Sequence, residues 1–210
     1  MKITVYVLDT CSFIYQNDKR NTRYSELFKY YCIREHTGHH FDDIQFSKEE
    51  YGKPVLHMPS GIHLNVSHTD GFSVCVVSDK NVGIDIEKIE AIDLDIAKKY
   101  FALTESQYIM NAQNSDVQFN RFFEVWTMKE CYLKLLGIGM YKELDSFSIT
   151  PGRESYNIVE TGKDMSQIFS FFHNLVFEKY ALSVILEATN QNLVVELLDI
   201  TKRFNTEFIL

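Results

Sequence analysis

Asp85 and Glu87 are separated by one residue inside a run, 82–87, that alternates like a strand, so Ile84 and Ile86 face one way and the two carboxylates the other. Like charges this close repel, and the pairing is costly unless a cation lies between them or water screens them. For this pair alone a solvated strand face is the simpler account and a metal site the alternative. Glu130 and Lys134 stand four residues apart with the acid first, the favourable order for a helical ion pair worth ~0.3–0.5 kcal/mol. Phe123 and Trp126 lie beside them, so a surface salt bridge and a polar site flanked by aromatics fit equally. Asn65-Val66-Ser67-His68-Thr69 gathers short polar groups ahead of a strand, with a histidine that pairs with anions when protonated; a turn with capping hydroxyls fits as well. Gly52-Lys53-Pro54 reads as a tight turn with Lys53 solvated.

These residues need elements to position them. Residues 2–9 (KITVYVLD) alternate with period two and predict a strand, and 23–34 have the crowded apolar spacing of an amphipathic helix. Residues 71–78 and 82–87 predict two strands joined by the turn Asp79-Lys80-Asn81, a hairpin. A helical pattern covers 92–101, and Thr104 with Gln107 has the form of a capping box that starts a second helix at Glu105. A third spans 120–136 and is stopped by Gly137 and Gly139. On it Val125, Met128, Tyr132, Leu135 and Leu136 form an apolar stripe opposite Glu130 and Lys134. Strand-like runs follow at 147–150, 168–172, 180–186 and 193–198, an order that predicts an α+β fold.

With 210 residues, 45% apolar and 14% aromatic, the chain can bury a substantial core without metals or disulfides as staples. No Pro-, Gly- or Ser-rich linker divides it, so any two halves pack tightly. A net charge of −8 argues against non-specific nucleic-acid binding, and Lys19, Arg20 and Arg23 read as a solvated patch. The absence of a long apolar run or signal peptide predicts a cytoplasmic protein away from membranes. Cys11, Cys32, Cys75 and Cys131 are scattered without zinc spacing and read as buried or inert thiols.

In order, Tyr51-Gly52-Lys53-Pro54, Leu64-Asn65-Val66-Ser67-His68, 82–87 (VGIDIE) and 122–134 (FFEVWTMKECYLK) resemble the phosphopantetheinyl transferase superfamily, in its long monomeric type that acts on carrier proteins of peptide and polyketide synthesis. Ile44-Gln45-Phe46-Ser47 joins the pattern upstream and 180–184 loosely downstream. The resemblance implies two α/β lobes, residues 1–82 and 83–210, related by a pseudo-two-fold axis with coenzyme A in the cleft between them. It implies Mg2+ on Asp85, Glu87 and Glu130, a hard cation on oxygen ligands that grips a diphosphate. Cationic and polar groups around the cleft would be Lys53, Ser67, His68, Lys129 and Lys134, with Lys88, Arg20 and Thr22 as further phosphate contacts. Glu105 stands where some relatives carry a general base, although a glutamate in the first turn of a helix is also explained by the helix dipole. A metal-dependent phosphohydrolase and an inactive carrier-binding module are the alternatives.

Two departures from the family pattern stand out. Asn21 replaces a basic residue, and Cys131 a serine expected to lie on the helix face away from the metal. The stretch 103–121, with Tyr108, Ile109 and Met110, is the expected carrier contact, and burial in the protein's own core is its rival.

Overall fold

Along β1 (Lys2–Asp9), Ile3, Val5 and Val7 enter one core and Tyr6 and Leu8 another, so the strand is buried on both faces. This is a computed structural model; it describes residues 1–11, 18–48, 53–151, 156–160, 162–165, 168–187 and 192–208, of which 18–23, 48 and 140 by backbone alone. β1 is interior to a four-stranded sheet. It pairs antiparallel with β5 (Phe72–Ser78), which pairs in turn with β4 (His63–Thr69). Its other neighbour, β12 (Val194–Asp199), is parallel and comes from the far end of the chain. α1 (Asp18–Thr37) and α5 (Thr201–Phe208) cover the outer face, where Phe28 and Tyr31 meet Phe204 edge-on at 6.3 and 5.5 Å.

β6 (Val82–Lys88) does not complete the expected hairpin with β5. It pairs antiparallel with β11 (Tyr180–Glu187), beyond which lies β10 (Phe169–Val176). Val82, Ile84 and Ile86 join Val5, Val74, Val76, Leu182 and Val184 in the core between the two sheets. Burying both apolar faces in that core wins over the local turn, because a planar hairpin would leave one of them without a partner.

α4 (Ser115–Leu136) lies across β6 and β11, starting earlier than its apolar period suggests because Asn114 caps it, Oδ1 accepting from Val117 N–H at 2.9 Å. Gly137 ends it in the left-handed region at φ 73°. α2 (Asp95–Tyr100) and α3 (Leu103–Met110) pack on its N-terminal half through Phe101, Ile109, Phe122 and Val125. A small sheet of β7 (Phe147–Pro151), β8 (Tyr156–Glu160) and β9 (Lys163–Asp164) meets Met128, Tyr132 and Leu135 on the other half. β2 (Gln45–Lys48) and β3 (Pro54–Met58) form a separate antiparallel pair. The fold is mixed α+β. Residues 194–199 return to the first sheet as β12, and α5 follows them onto its outer face. Among the described residues no helix is long and apolar enough to cross a membrane.

Candidate functional site

The face of β6 that carries Asp85 and Glu87 also carries Gly83, two positions before Asp85. A Cβ on Gly83 would lie 2.0 Å from the Cys131 carbonyl oxygen, so α4 rests its backbone on the strand there. That approach brings Lys134 down onto Asp85: Nζ is 2.6 Å from Oδ1 and 2.9 Å from Ser67 Oγ, and Ser67 donates to the same Oδ1 at 2.7 Å. Thr69 donates to Glu87 Oε2 at 3.2 Å.

Ser67 and Thr69 come from β4, which is a strand and not a capped turn. Asn65, Ser67 and Thr69 share one of its faces, and their side-chain oxygens accept from the N–H groups of Ile84, Ile86 and Lys88 at 3.3, 3.4 and 3.4 Å. The constant offset along both strands makes β4 and β6 parallel neighbours, joined by side chains where a backbone ladder would otherwise run. This explains why short polar residues recur at every second position there.

Asp85 is 2% exposed, and its Oδ2, like Glu130 Oε1, is buried without a hydrogen-bond partner. Burial, then the charge on Asp85, pushes the Glu130 carboxyl up, with Lys134 pulling it back. Glu87 is raised for the same two reasons, against the opposing Thr69 hydroxyl and Lys134. The expected three-carboxylate chelate is not closed: among the described residues no three His, Cys, Asp or Glu side chains form a group that could hold an ion. At Asp85 an ammonium already holds Oδ1. The donor set still fits a hard divalent cation, being oxygen-only with two buried oxygens lacking a partner.

Lys134 also lines a cleft of about 320 Å³ with Ser25, Lys29, Lys53, Asn65 and His68. Such a rim suits a polyanion. Lys53 Nζ donates to Leu135 O at 2.7 Å and Asn81 Oδ1 at 3.0 Å, tying the start of β3 to the end of α4. Lys29 and Ser25 on α1 were not anticipated; the apolar residues of that helix dominated its reading, and a lysine on a mostly polar helix face carries no signal of its own.

Other expected site residues lie elsewhere. Glu105 is 0% exposed and is the third residue of α3, whose first residue is Leu103, not Glu105. Its Oε2 accepts from Ala102 N–H at 3.0 Å and pairs with Lys129 at 2.9 Å, and its Oε1 accepts from Ile149 N–H at 2.6 Å. Lys129, 0% exposed, also donates to Leu144 O and Phe147 O and lies over the Phe147 ring at 4.0 Å. Burial is the largest influence on both, raising Glu105 and lowering Lys129 against their mutual attraction. Lys88 pairs with Asp70 at 2.7 Å at the surface. Arg20 and Thr22 are in the first turns of α1, and their side chains fall outside the described residues, as do Tyr51 and Gly52 entirely.

Cys131 sits on the β6 side of α4, not away from the carboxylates, since its own carbonyl is the atom that Gly83 admits. Cys32, Cys75 and Cys131 are buried free thiols and Cys11 an exposed one. In the expected carrier contact, Ile109 is core and Tyr108 donates to Glu124 Oε2 at 2.8 Å, while Leu103 at its start is 73% exposed; Tyr100, just before the stretch, is 48% exposed.

Residues 81–185 match the profile of the 4'-phosphopantetheinyl transferase superfamily, and residues 8–81 that of the N-terminal part of 4'-phosphopantetheinyl transferase. The 4'-phosphopantetheinyl transferase gsp of Aneurinibacillus migulanus is 41% identical over 145 residues, 68% of this chain and 58% of the relative. The 4'-phosphopantetheinyl transferase Sfp of Bacillus subtilis is 41% identical over 107 residues, 51% of this chain and 47% of the relative. The 4'-phosphopantetheinyl transferase ffp of Bacillus subtilis is 32% identical over 151 residues, 70% and 67% of the two. The chain thus spans about half the length of the first two relatives.

Proposed function

The chain belongs to the 4'-phosphopantetheinyl transferase superfamily, and on that footing we propose that it transfers the 4'-phosphopantetheine arm of coenzyme A to a serine of an apo acyl or peptidyl carrier protein. Adenosine 3',5'-bisphosphate is the leaving product. The observation that carries this reading is the meeting of Asp85, Glu130, Ser67 and Lys134 beneath a lysine-rimmed cleft, with two carboxylate oxygens left buried and without a partner.

A Mg2+ ion held by Asp85, Glu87 and Glu130 would neutralise the diphosphate and polarise its β-phosphorus. Lys134 lies between carboxylates and cleft and is placed to meet the diphosphate. His68 and Lys29 on the cleft wall suit the adenosine and 3'-phosphate end. Ser67 orients Asp85 by its hydrogen bond and is too buried, at 3% exposed, to be an outer phosphate contact. Glu105 has both oxygens engaged in a buried pair, so proton removal from the carrier serine falls to Glu87, on the same face of β6 as Asp85 and held there by a single hydroxyl. Two lobes related by a pseudo-two-fold axis belong to the same reading; an antiparallel pair crossed by a helix recurs as β1–β5 under α1 and β6–β11 under α4. One chain then supplies both walls of the cleft, as a monomer.

The test is mass spectrometry of several apo carriers after incubation with the chain, coenzyme A and Mg2+. The expected result is a gain of ~340 Da, the arm moved in the phosphoryl transfer. No gain on any carrier overturns the reading, and rapid hydrolysis of coenzyme A without a carrier replaces it with a phosphohydrolase.

A further inference from the structure

Lys134 holds one oxygen of Asp85, the most buried of the three carboxylates expected to bind a cation. Its Nζ satisfies Asp85 Oδ1 and accompanies Ser67, while Asp85 Oδ2 and Glu130 Oε1 are buried nearby with nothing to bond. An ammonium has three hydrogens and a single charge, and here it leaves two carboxylate oxygens unmet, a deficit a divalent ion would remove. The same side chain lines the cleft whose rim includes Lys29 and His68. Its charge therefore has two destinations, the carboxylate floor and any anion above it. Lysine is a point charge on a flexible stem, so moving between the two requires rotamer changes and no backbone motion.

Resting on the functional reading above, we propose that Lys134 is a placeholder: in the ligand-free chain it competes with the divalent cation for Asp85 Oδ1, and a diphosphate in the cleft draws it off that oxygen. Cation and diphosphate then gain, beside their direct attraction, a positive coupling through one side chain. By linkage the coupling is reciprocal, so each ligand strengthens the other by the same factor. Neither ligand needs to touch the other for this. A diphosphate that bound equally well with Lys134 on or off Asp85 would shift nothing, and proximity to the cleft is what supplies the preference.

The experiment is Mn2+ binding to the full chain, followed by the electron paramagnetic resonance of the free ion, without any turnover. Lys134→Met is expected to bind Mn2+ more tightly than wild type, on the order of ten- to a hundredfold. Lys29→Met removes a positive charge from the same rim without touching Asp85 and should change the affinity less than about twofold. In wild type, Mn2+ should strengthen coenzyme A binding by at least about fivefold, and in Lys134→Met that gain should shrink to what the ion contributes by neutralising the diphosphate directly. Circular dichroism confirms that each variant is folded, and should Lys134→Met not fold, Lys134→Gln takes its place.

Unchanged or weaker Mn2+ binding in the folded variant overturns the proposal. So does equal tightening by Lys29→Met, which would mark a long-range field, and so does failure of wild type and variant alike to bind Mn2+. Arm transfer to carriers without the Lys134→Met tightening sinks the placeholder alone. Tightening without transfer sinks only the functional reading.

Discussion

Gly83→Ala tests whether the helix and the strand assemble the site by direct backbone contact. The new Cβ would lie 2.0 Å from Cys131 O, 2.9 Å from Cys131 C and 3.0 Å from Ile185 Cγ2. Carbon and oxygen approach comfortably only at ~3.3 Å or more, and the first two atoms are helix backbone that cannot rotate aside. α4 must therefore retreat by roughly 1 Å at residue 131, between Glu130 and Lys134. Overpacking of this kind costs ~1–3 kcal/mol or more, against a gain of about 0.8 kcal/mol for a buried methyl. A net loss of about 2 kcal/mol lowers Tm by roughly 4–8 °C in a chain of this size. The same retreat shifts the backbone of Glu130 and Lys134 relative to Asp85, which the flexible Lys134 stem can partly follow and the shorter Glu130 side chain less so.

Urea unfolding followed by circular dichroism reads the stability, and Mn2+ titration reads the site. Ile84→Val, on the opposite face of β6 and 0% exposed, is the control: it should cost ~0.5–1.5 kcal/mol and leave Mn2+ binding unchanged. If Gly83→Ala unfolds within about 0.5 kcal/mol of wild type and binds Mn2+ equally well, the contact is not what positions Glu130 and Lys134.

Glu105→Gln leaves the buried Lys129 ammonium without its counter-charge and should cost ~3–5 kcal/mol in urea unfolding, much of it recovered in Glu105→Gln/Lys129→Met, where neither charge is left. Asn114→Ala removes the cap of α4 and should lower stability by ~1 kcal/mol with coenzyme A affinity unchanged in a direct binding titration. Glu87 and Glu130 are held above the ordinary carboxyl range, so the folded chain takes up their protons more readily than the unfolded one. Their contribution is full below the ordinary carboxyl pKa and lost as pH rises through the raised values. Without divalent cation, wild type should lose stability relative to Glu87→Gln/Glu130→Gln as pH rises above the ordinary carboxyl range of about 4, and parallel curves from urea unfolding would count against it.

What the residues disclosed on their own was local. The two-residue step from Asp85 to Glu87 correctly put both on one strand face, and Gly137 ended α4 where the pattern places it. The β5–β6 hairpin failed because the true partner of β6 is β11, about a hundred positions away, and no local turn encodes that choice. Glu105 carried two local readings, catalytic base and helix-terminal acid. Only its distance to Lys129 and Ile149 separates them, through a contact between α3, α4 and β7. The helical period set Glu130 and Lys134 opposite the apolar stripe, a position that normally means solvent. It could not reveal that a second surface, the face of β6 around Gly83, waits there.

The union of the two sheets and the chemistry of the site depend on the same atoms. Ser67 Oγ accepts from the N–H of Ile86, donates to Asp85 and receives Lys134, so one hydroxyl links β4, β6 and α4. Asn65 and Thr69 repeat the strand-to-strand part of that pattern on either side. A backbone ladder between β4 and β6 would have joined the sheets more strongly, but it would have set them in one plane and filled the gap above Asp85. Side-chain oxygens hold the strands apart by the length of a side chain, and that separation gives Lys134 room to reach Asp85. Loss of the Ser67 hydroxyl should therefore weaken the β4–β6 junction and the carboxylate cluster together. Two sheets that packed only through their apolar core would let the two effects be separated.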